Sequence, residues 1–258
     1  MSWFPDPVAF SIGPCTIRWY GLAYVFGMLF SWMYGRRCIQ KGYFSAISVA
    51  HWDGLMNRLM LGIVIGGRLG YFLLYSPETF WTDPLEIVQI WHPGMAFHGG
   101  LLGGVLAIIL YARGQKVSTL SLFDVVAVSA PIGLFLGRIA NFINQEHCGK
   151  PTDVAWGVTF PILPDGPRHP SQLYEAGLEG VILLFILMGF MRVYRSLKPG
   201  QLGGLFLICY GIMRLFTESF RMPEGVFHAI TLAQYYSIPV IGVGLWLWFW
   251  HKKKSSLF

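Results

Sequence analysis

Tyr210, Arg214, Glu218 and Arg221 recur at intervals of four, four and three residues, which sets them along one face of a helix. A guanidinium binds phosphate through two parallel hydrogen bonds, so this face suits an anionic ligand. The alternative is an Arg214–Glu218 pair that neutralises itself and fixes helix packing. A second polar run, Gly137-Arg138-Ile139-Ala140-Asn141-Phe142-Ile143-Asn144-Gln145-Glu146-His147-Cys148-Gly149, sets Arg138, Asn141, Asn144 and Glu146 directly after an apolar stretch. Buried polar groups need partners, so this run implies a hydrogen-bond network or a ligand. His98 opens the run His98-Gly99-Gly100-Leu101-Leu102-Gly103-Gly104. Its ordinary pKa suits proton transfer near neutrality, with a hydrogen-bonded structural role as the alternative. The glycines form two overlapping G-x-x-x-G pairs, for which close helix packing is the simpler reading. Arg168-His169-Pro170-Ser171-Gln172-Leu173-Tyr174-Glu175 leads into another apolar run, where Ser171 with Gln172 reads as a helix cap.

The elements that must position these groups are membrane helices. Only 12% of the 258 residues are charged and 54% are hydrophobic, against about 25% charged in soluble domains. Abundant aromatics and basic residues scattered between apolar runs exclude a disordered or nucleic-acid-binding chain. About 20 apolar residues span a bilayer. Seven candidate spans follow, at about 17–35, 53–74, 96–112, 120–137, 173–191, 202–218 and 233–250. The fold expected is therefore all-α and polytopic, with 1–258 forming a single membrane-embedded domain and a short outer segment at about 138–172. Pro131 predicts a kink in the fourth span. The first residues read as no cleavable leader, and the four cysteines as free thiols rather than a disulfide framework.

Loop charge predicts the orientation. Arg36, Arg37, Lys41, Arg113, Lys116, Arg192, Arg195, Lys198, Lys252, Lys253 and Lys254 follow the odd-numbered spans and make up eleven of the 19 Lys and Arg residues. The loop at 75–95 holds Glu78, Asp83 and Glu86 but no Lys or Arg. The C-terminus is thus expected in the cytoplasm and the N-terminus outside. Arg58 can snorkel to the cytoplasmic surface. Arg18, Arg68, Arg138, Lys150, Arg168, Arg214 and Arg221 remain, all toward the outer side. Arginine at a helix centre costs about 2.5–3.5 kcal/mol on insertion scales, so these residues call for carboxylate partners or an anionic ligand. A phosphate-bearing lipid headgroup in the outer leaflet meets that need.

The sequence resembles the bacterial prolipoprotein diacylglyceryl transferases over nearly its full length. The resemblance is carried by Trp19-Tyr20-Gly21, Gly66-Gly67-Arg68, the His98 glycine run, the 137–149 run, Arg168 to Glu175, and Tyr210 to Arg221. Residues 150–167 form a shorter segment than some members of that family carry. The resemblance implies transfer of a diacylglyceryl group from phosphatidylglycerol to the lipobox cysteine in the signal peptide of a preprolipoprotein, in the bacterial inner (cytoplasmic) membrane. It implies catalytic roles for His98 as base and for Arg138 and Arg214 as phosphate clamps. Tyr20, Arg68, Gly99, Gly100, Asn141, Asn144, Glu146, Gly149, Arg168, Tyr210, Glu218 and Arg221 would bind substrate, with Glu146 and Glu218 holding the arginines. No cofactor and no metal are expected. The histidines His92, His98, His147 and His169 show no H-x-x-x-H spacing. The rivals are a phospholipid or ion transporter with an arginine-lined cavity, for which no internal repeat is evident, and a metal-dependent intramembrane hydrolase.

Overall fold

The computed structural model describes residues 4–13, 15–89, 92, 94–194, 197–223, 226–227 and 230–254. Arg195 and the side chains of Lys252, Lys253 and Lys254, all used above to orient the chain, lie outside the described residues. In chain order the elements are β1 (Val8–Ile12), β2 (Cys15–Arg18), α1 (Trp19–Gln40), α2 (Val49–Tyr75), the single turn α3 (Thr79–Thr82), a 3-10 turn (Pro84–Val88), α4 (Phe97–Gln115) and α5 (Thr119–Ile143). There follow β3 (Val158–Phe160), β4 (Leu163–Arg168), α6 (Ser171–Glu175), a π-helical stretch (Ala176–Ile182), α7 (Leu183–Val193), α8 (Gln201–Glu218), β5 (Val226–Phe227), β6 (Ile230–Thr231) and α9 (Leu232–Lys254).

Each of the seven apolar runs is helical, and most of the helices run on beyond the apolar residues. Among the described residues, five segments are long and apolar enough to cross a membrane: Val49–Tyr75, Phe97–Gln115, Thr119–Ile143, Ser171–Val193 and Leu232–Trp250. The other two, α1 and α8, are helices of 22 and 18 residues whose sequences are less apolar. α1 is rich in Trp, Tyr and Gly and ends in Arg36 and Arg37, whereas α8 carries Arg214 and Glu218. The purely helical expectation needs one correction. Among the described residues, three antiparallel hairpins, β1–β2, β3–β4 and β5–β6, punctuate the helices. Their strands are two to six residues long, too short to produce an alternating pattern that stands out beside apolar runs. α5 continues through Pro131.

The chain divides into two compact units, residues 36–123 and residues 1–35 with 124–258. Within 36–123, α2 starts from a capping box: the Ser48 hydroxyl accepts from the His51 amide at 3.2 Å, and His51 Nδ1 accepts from the Ser48 amide at 3.3 Å. α2 and α4 meet along a glycine seam. A methyl group at Gly62, Gly66 or Gly70 would press on the backbone of Gly99 or Gly103, and the reverse holds as well. The spacing read above as packing is therefore the packing surface itself. Within the other unit, Gly27 of α1 lies against Gly133 of α5. There the Ser31 hydroxyl donates to the Ser129 carbonyl at 3.0 Å. Gly200 opens α8 with a φ of 94°, a left-handed conformation that glycine adopts without cost.

Candidate active site

Two of the arginines sit on different helices and converge on one carboxylate. Arg138, in the last turns of α5, has Nη1 at 3.0 Å from Glu175 Oε2 and donates from Nη2 to Glu179 Oε2 at 3.1 Å. Arg214 of α8 donates from Nη1 to Glu175 Oε1 at 2.6 Å and has Nη2 at 3.0 Å from Glu218 Oε2. Arg221 donates to the same Glu175 Oε1 at 3.1 Å. Three guanidiniums thus face three carboxylates, which offsets the cost of placing so many arginines in an apolar protein.

The two signs are unequally covered. Side-chain exposure is 1%, 0% and 3% for Glu175, Glu179 and Glu218, but 16% for Arg138 and 13% for Arg214. The carboxylates are the more deeply covered partners, while the Arg138 and Arg214 side chains keep some accessible surface and Arg221 is buried. Such an arrangement presents preorganised donors to an anion without leaving buried positive charge unpaired. Tyr210 lies within electrostatic reach of Glu179, Arg138, Arg214 and Glu175. Tyr20 lies within reach of Glu146 and Arg138, and its hydroxyl sits 3.2 Å from that of Tyr24.

Glu175 and Glu179 were not singled out from the sequence, although the signal was present. Two carboxylates four residues apart inside an apolar run repeat the spacing of Arg214 and Glu218, and ionisable residues within a span are functional by default. Glu179 belongs to the π-helical stretch, a distortion that recurs at functional sites. Glu218 does pair with an arginine, as expected. Glu146 pairs otherwise: its Oε2 accepts from Asn141 Nδ2 at 2.8 Å and its Oε1 from Asn144 Nδ2 at 3.3 Å.

The 137–149 run is accordingly half helix, half turn. α5 carries Arg138 and Asn141 to Ile143, after which Gln145 and His147 adopt positive φ values of 58° and 56°. Non-glycine residues rarely adopt this conformation unless their surroundings enforce it. The Ser171 hydroxyl donates to the His147 carbonyl at 3.0 Å and Gln172 Nε2 to the Glu146 carbonyl at 2.6 Å. Ser171 and Gln172 thus tie this turn to α6, and no side chain caps α6, contrary to the capping expectation. The backbone of Gly149 and Lys150 threads between His169 and Phe220, with hydrogen bonds of 3.2, 3.0 and 2.8 Å. A side chain on Gly149 would collide with the carbonyls of His169 and Phe220. Arg168 donates to Asp165 and to the Gly149 carbonyl, at 2.6 and 3.0 Å. Those bonds hold the Asp165 carboxyl below its usual range. Burial pushes the Cys148 thiol up.

The remaining expected site residues lie in the 36–123 unit. Arg68 is 2% exposed and its guanidinium donates to the carbonyls of Glu86, Ile87, Gln89, His92 and Gly94 at 2.5 to 3.2 Å. It draws together the backbone of these five residues, and the Phe72 ring covers it at 4.8 Å. Gly99 is part of the α2–α4 seam, while Gly100 contacts Ile63. His98, the second residue of α4, is exposed, with its ring 5.5 Å from that of Phe97.

The chain is similar to known proteins over most of its length. The family profile described as prolipoprotein diacylglyceryl transferase matches residues 7–250. A phosphatidylglycerol–prolipoprotein diacylglyceryl transferase of Rhizobium meliloti (strain 1021) is 46% identical over 251 residues, covering 93% of this chain and 90% of its own. Proteins of the same name from Rhodospirillum rubrum and Rhizobium leguminosarum bv. trifolii are 46% and 44% identical. They are aligned over 93% and 98% of this chain and over 90% and 95% of their own lengths.

Proposed function

The chain belongs to the prolipoprotein diacylglyceryl transferase family, and on that premise we propose that Arg138 and Arg214 grip the phosphate of phosphatidylglycerol while its diacylglyceryl group is transferred. The acceptor is the thiol of a prolipoprotein's lipobox cysteine. The sulfur forms a bond to the glyceryl carbon, the carbon–oxygen bond to phosphate breaks, and glycerol phosphate leaves with the electron pair. The product is a thioether. Family membership sets aside the transporter and hydrolase alternatives.

The observation that supports this reading is the convergence of Arg138 and Arg214 on Glu175, with the carboxylates buried and the two arginine side chains partly accessible. Negative charge gathers on the departing phosphate, and fixed donors in a water-poor site stabilise developing charge strongly. Glu175 orients both arginines, Glu179 holds the second arm of Arg138, and Glu218 that of Arg214. Asn141 and Asn144, oriented by Glu146, offer polar groups to lipid oxygens beside the cluster. Tyr20 and Tyr210 bound the headgroup, Gly149, Arg168 and Arg221 shape the backbone around it, and Arg68 orders the backbone of its own unit for substrate. His98 takes the thiol proton, because the thiolate is the nucleophile and a free thiol has a pKa of about 8.5. Incubating the purified protein with phosphatidylglycerol and a lipobox peptide tests the reading. The peptide should gain one diacylglyceryl group, and a peptide of unchanged mass would defeat it.

The chain crosses the bacterial inner membrane seven times as one domain, with α1 and α8 spanning in company with the five more apolar segments. The N-terminus and the arginine site face outward, and the C-terminus faces the cytoplasm. Loop charge supports this orientation. Trp81 is 88% exposed and Gln115 is also exposed, so single cysteines at these positions, in a background without the native cysteines, report the two sides. Trp81→Cys should react with a membrane-impermeant thiol reagent in intact spheroplasts and Gln115→Cys should not. The reverse pattern would invert the topology and put the site on the cytoplasmic side.

A further inference from the structure

Asp124 is 5% exposed, and its carboxylate caps a helix other than its own. Oδ2 accepts from the Gly200 amide and Oδ1 from the Gly203 amide, both at 2.7 Å, with a further backbone bond from Leu202. These amides open α8, where unpaired N–H groups and the helix dipole favour a carboxylate. A local cap would come from the residue before the helix, but here that residue is Gly200, which has no side chain. The cap is supplied by α5, 76 and 79 positions earlier in the chain.

This junction and the arginine cluster stand at matching places on the two helices. Arg138 follows Asp124 by fourteen residues on α5, and Arg214 follows Gly200 by fourteen on α8. At about 1.5 Å per residue each stretch measures about 21 Å, close to four turns. α5 and α8 are therefore joined twice, through Asp124 at the start and through Glu175 at the arginines, by rails of equal length. Sliding α8 along α5 would carry Arg214 away from the level of Arg138.

We propose that Asp124 is a positioning residue for the transfer reaction, setting the register that brings Arg138 and Arg214 to one height. This rests on the functional reading above. A displacement of about 1 Å at a reacting centre costs about 10²-fold in rate. Asp124→Ala should lower kcat per folded molecule by about 10- to 100-fold, with a change in KM for phosphatidylglycerol of less than about threefold. Asp124→Asn, which keeps an acceptor but not two, should fall between that variant and the parent. Val128 is fully buried one turn further along α5 and lies ten residues before Arg138. Val128→Ala should lower the melting temperature yet keep parental kcat.

Full-length protein in phosphatidylglycerol nanodiscs, with a lipobox peptide as acceptor, serves for all three variants. Should Asp124→Ala fail to fold, Asp124→Asn decides. Parental kcat in the aspartate variants would overturn the proposal. So would a Val128→Ala variant that loses as much kcat as they do at an equal loss of melting temperature. An inactive parent would defeat the functional reading and this inference with it, whereas an active parent with indifferent aspartate variants would defeat the register alone.

Discussion

Arg138→Lys and Arg214→Lys should each lose about 10²–10³-fold in kcat, the usual cost of removing one preorganised donor at developing charge. Both substitutions keep the positive charge, so net electrostatics alone predicts little change. Geometry predicts otherwise. Each guanidinium divides its two terminal nitrogens between two carboxylates, Glu175 and Glu179 for Arg138, and Glu175 and Glu218 for Arg214. A lysine ammonium is a single point that cannot engage both carboxylates and still present a fork to phosphate. Removing a partner from a buried pair altogether costs about 3–5 kcal/mol, which is why lysine rather than alanine is the informative replacement. Melting temperatures measured beside the kinetics separate a lost clamp from a lost fold. Arg192→Lys, at the exposed end of α7, should be silent. Near-parental transfer by both site variants, with intact folding, would reduce these arginines to charge balance.

His98→Gln should fold, bind phosphatidylglycerol and transfer about 10²–10⁴-fold more slowly at neutral pH, the range of a lost general base. Glutamine keeps hydrogen-bonding capacity and loses useful basicity. His98 lies at the start of α4, one residue before the glycine seam, so a polar replacement that preserves the helix leaves the Gly99–Gly66 approach intact. The defect should shrink as pH rises toward the thiol's own pKa of about 8.5, where thiolate forms unaided. The measurement is the ratio of variant to parent rates at neutral and mildly alkaline pH with saturating lipid. A flat ratio with lipid binding intact would make His98 a positioning group, and lost lipid binding would move it into the headgroup pocket.

The helices were legible because burial in a bilayer leaves long apolar runs, and every run read as a span lies within or close to a helix. Their ends slipped where polar residues continue a helix, as at 138–143, since backbone hydrogen bonding does not stop where hydropathy falls. The arginine face of α8 was legible from periodicity alone. Of its counter-charges Glu218 was legible and Glu175 was not, because partners were sought nearby in sequence. Glu146, the nearby acid, is engaged by two asparagines within five residues, while Glu175 reaches Arg214 across 39 positions and Arg221 across 46. Arg68 illustrates a different limit. As an arginine beside glycines it resembles a ligand group, but its partners are loop carbonyls, which every residue type carries and no sequence pattern marks.

In the proposed reaction the arginines hold a phosphate that departs, rather than one that is transferred. Phosphatidylglycerol carrying heavy oxygen in the bridge between its diacylglyceryl carbon and phosphorus distinguishes the two by mass spectrometry of the products. Attack of sulfur on carbon predicts that all the label is recovered in the released glycerol phosphate, and that the peptide carries a thioether-linked diacylglyceryl group without phosphorus. Label retained on diacylglycerol, or phosphorus found on the peptide, would mean that the phosphorus–oxygen bond breaks, and would contradict the proposed role of Arg138 and Arg214.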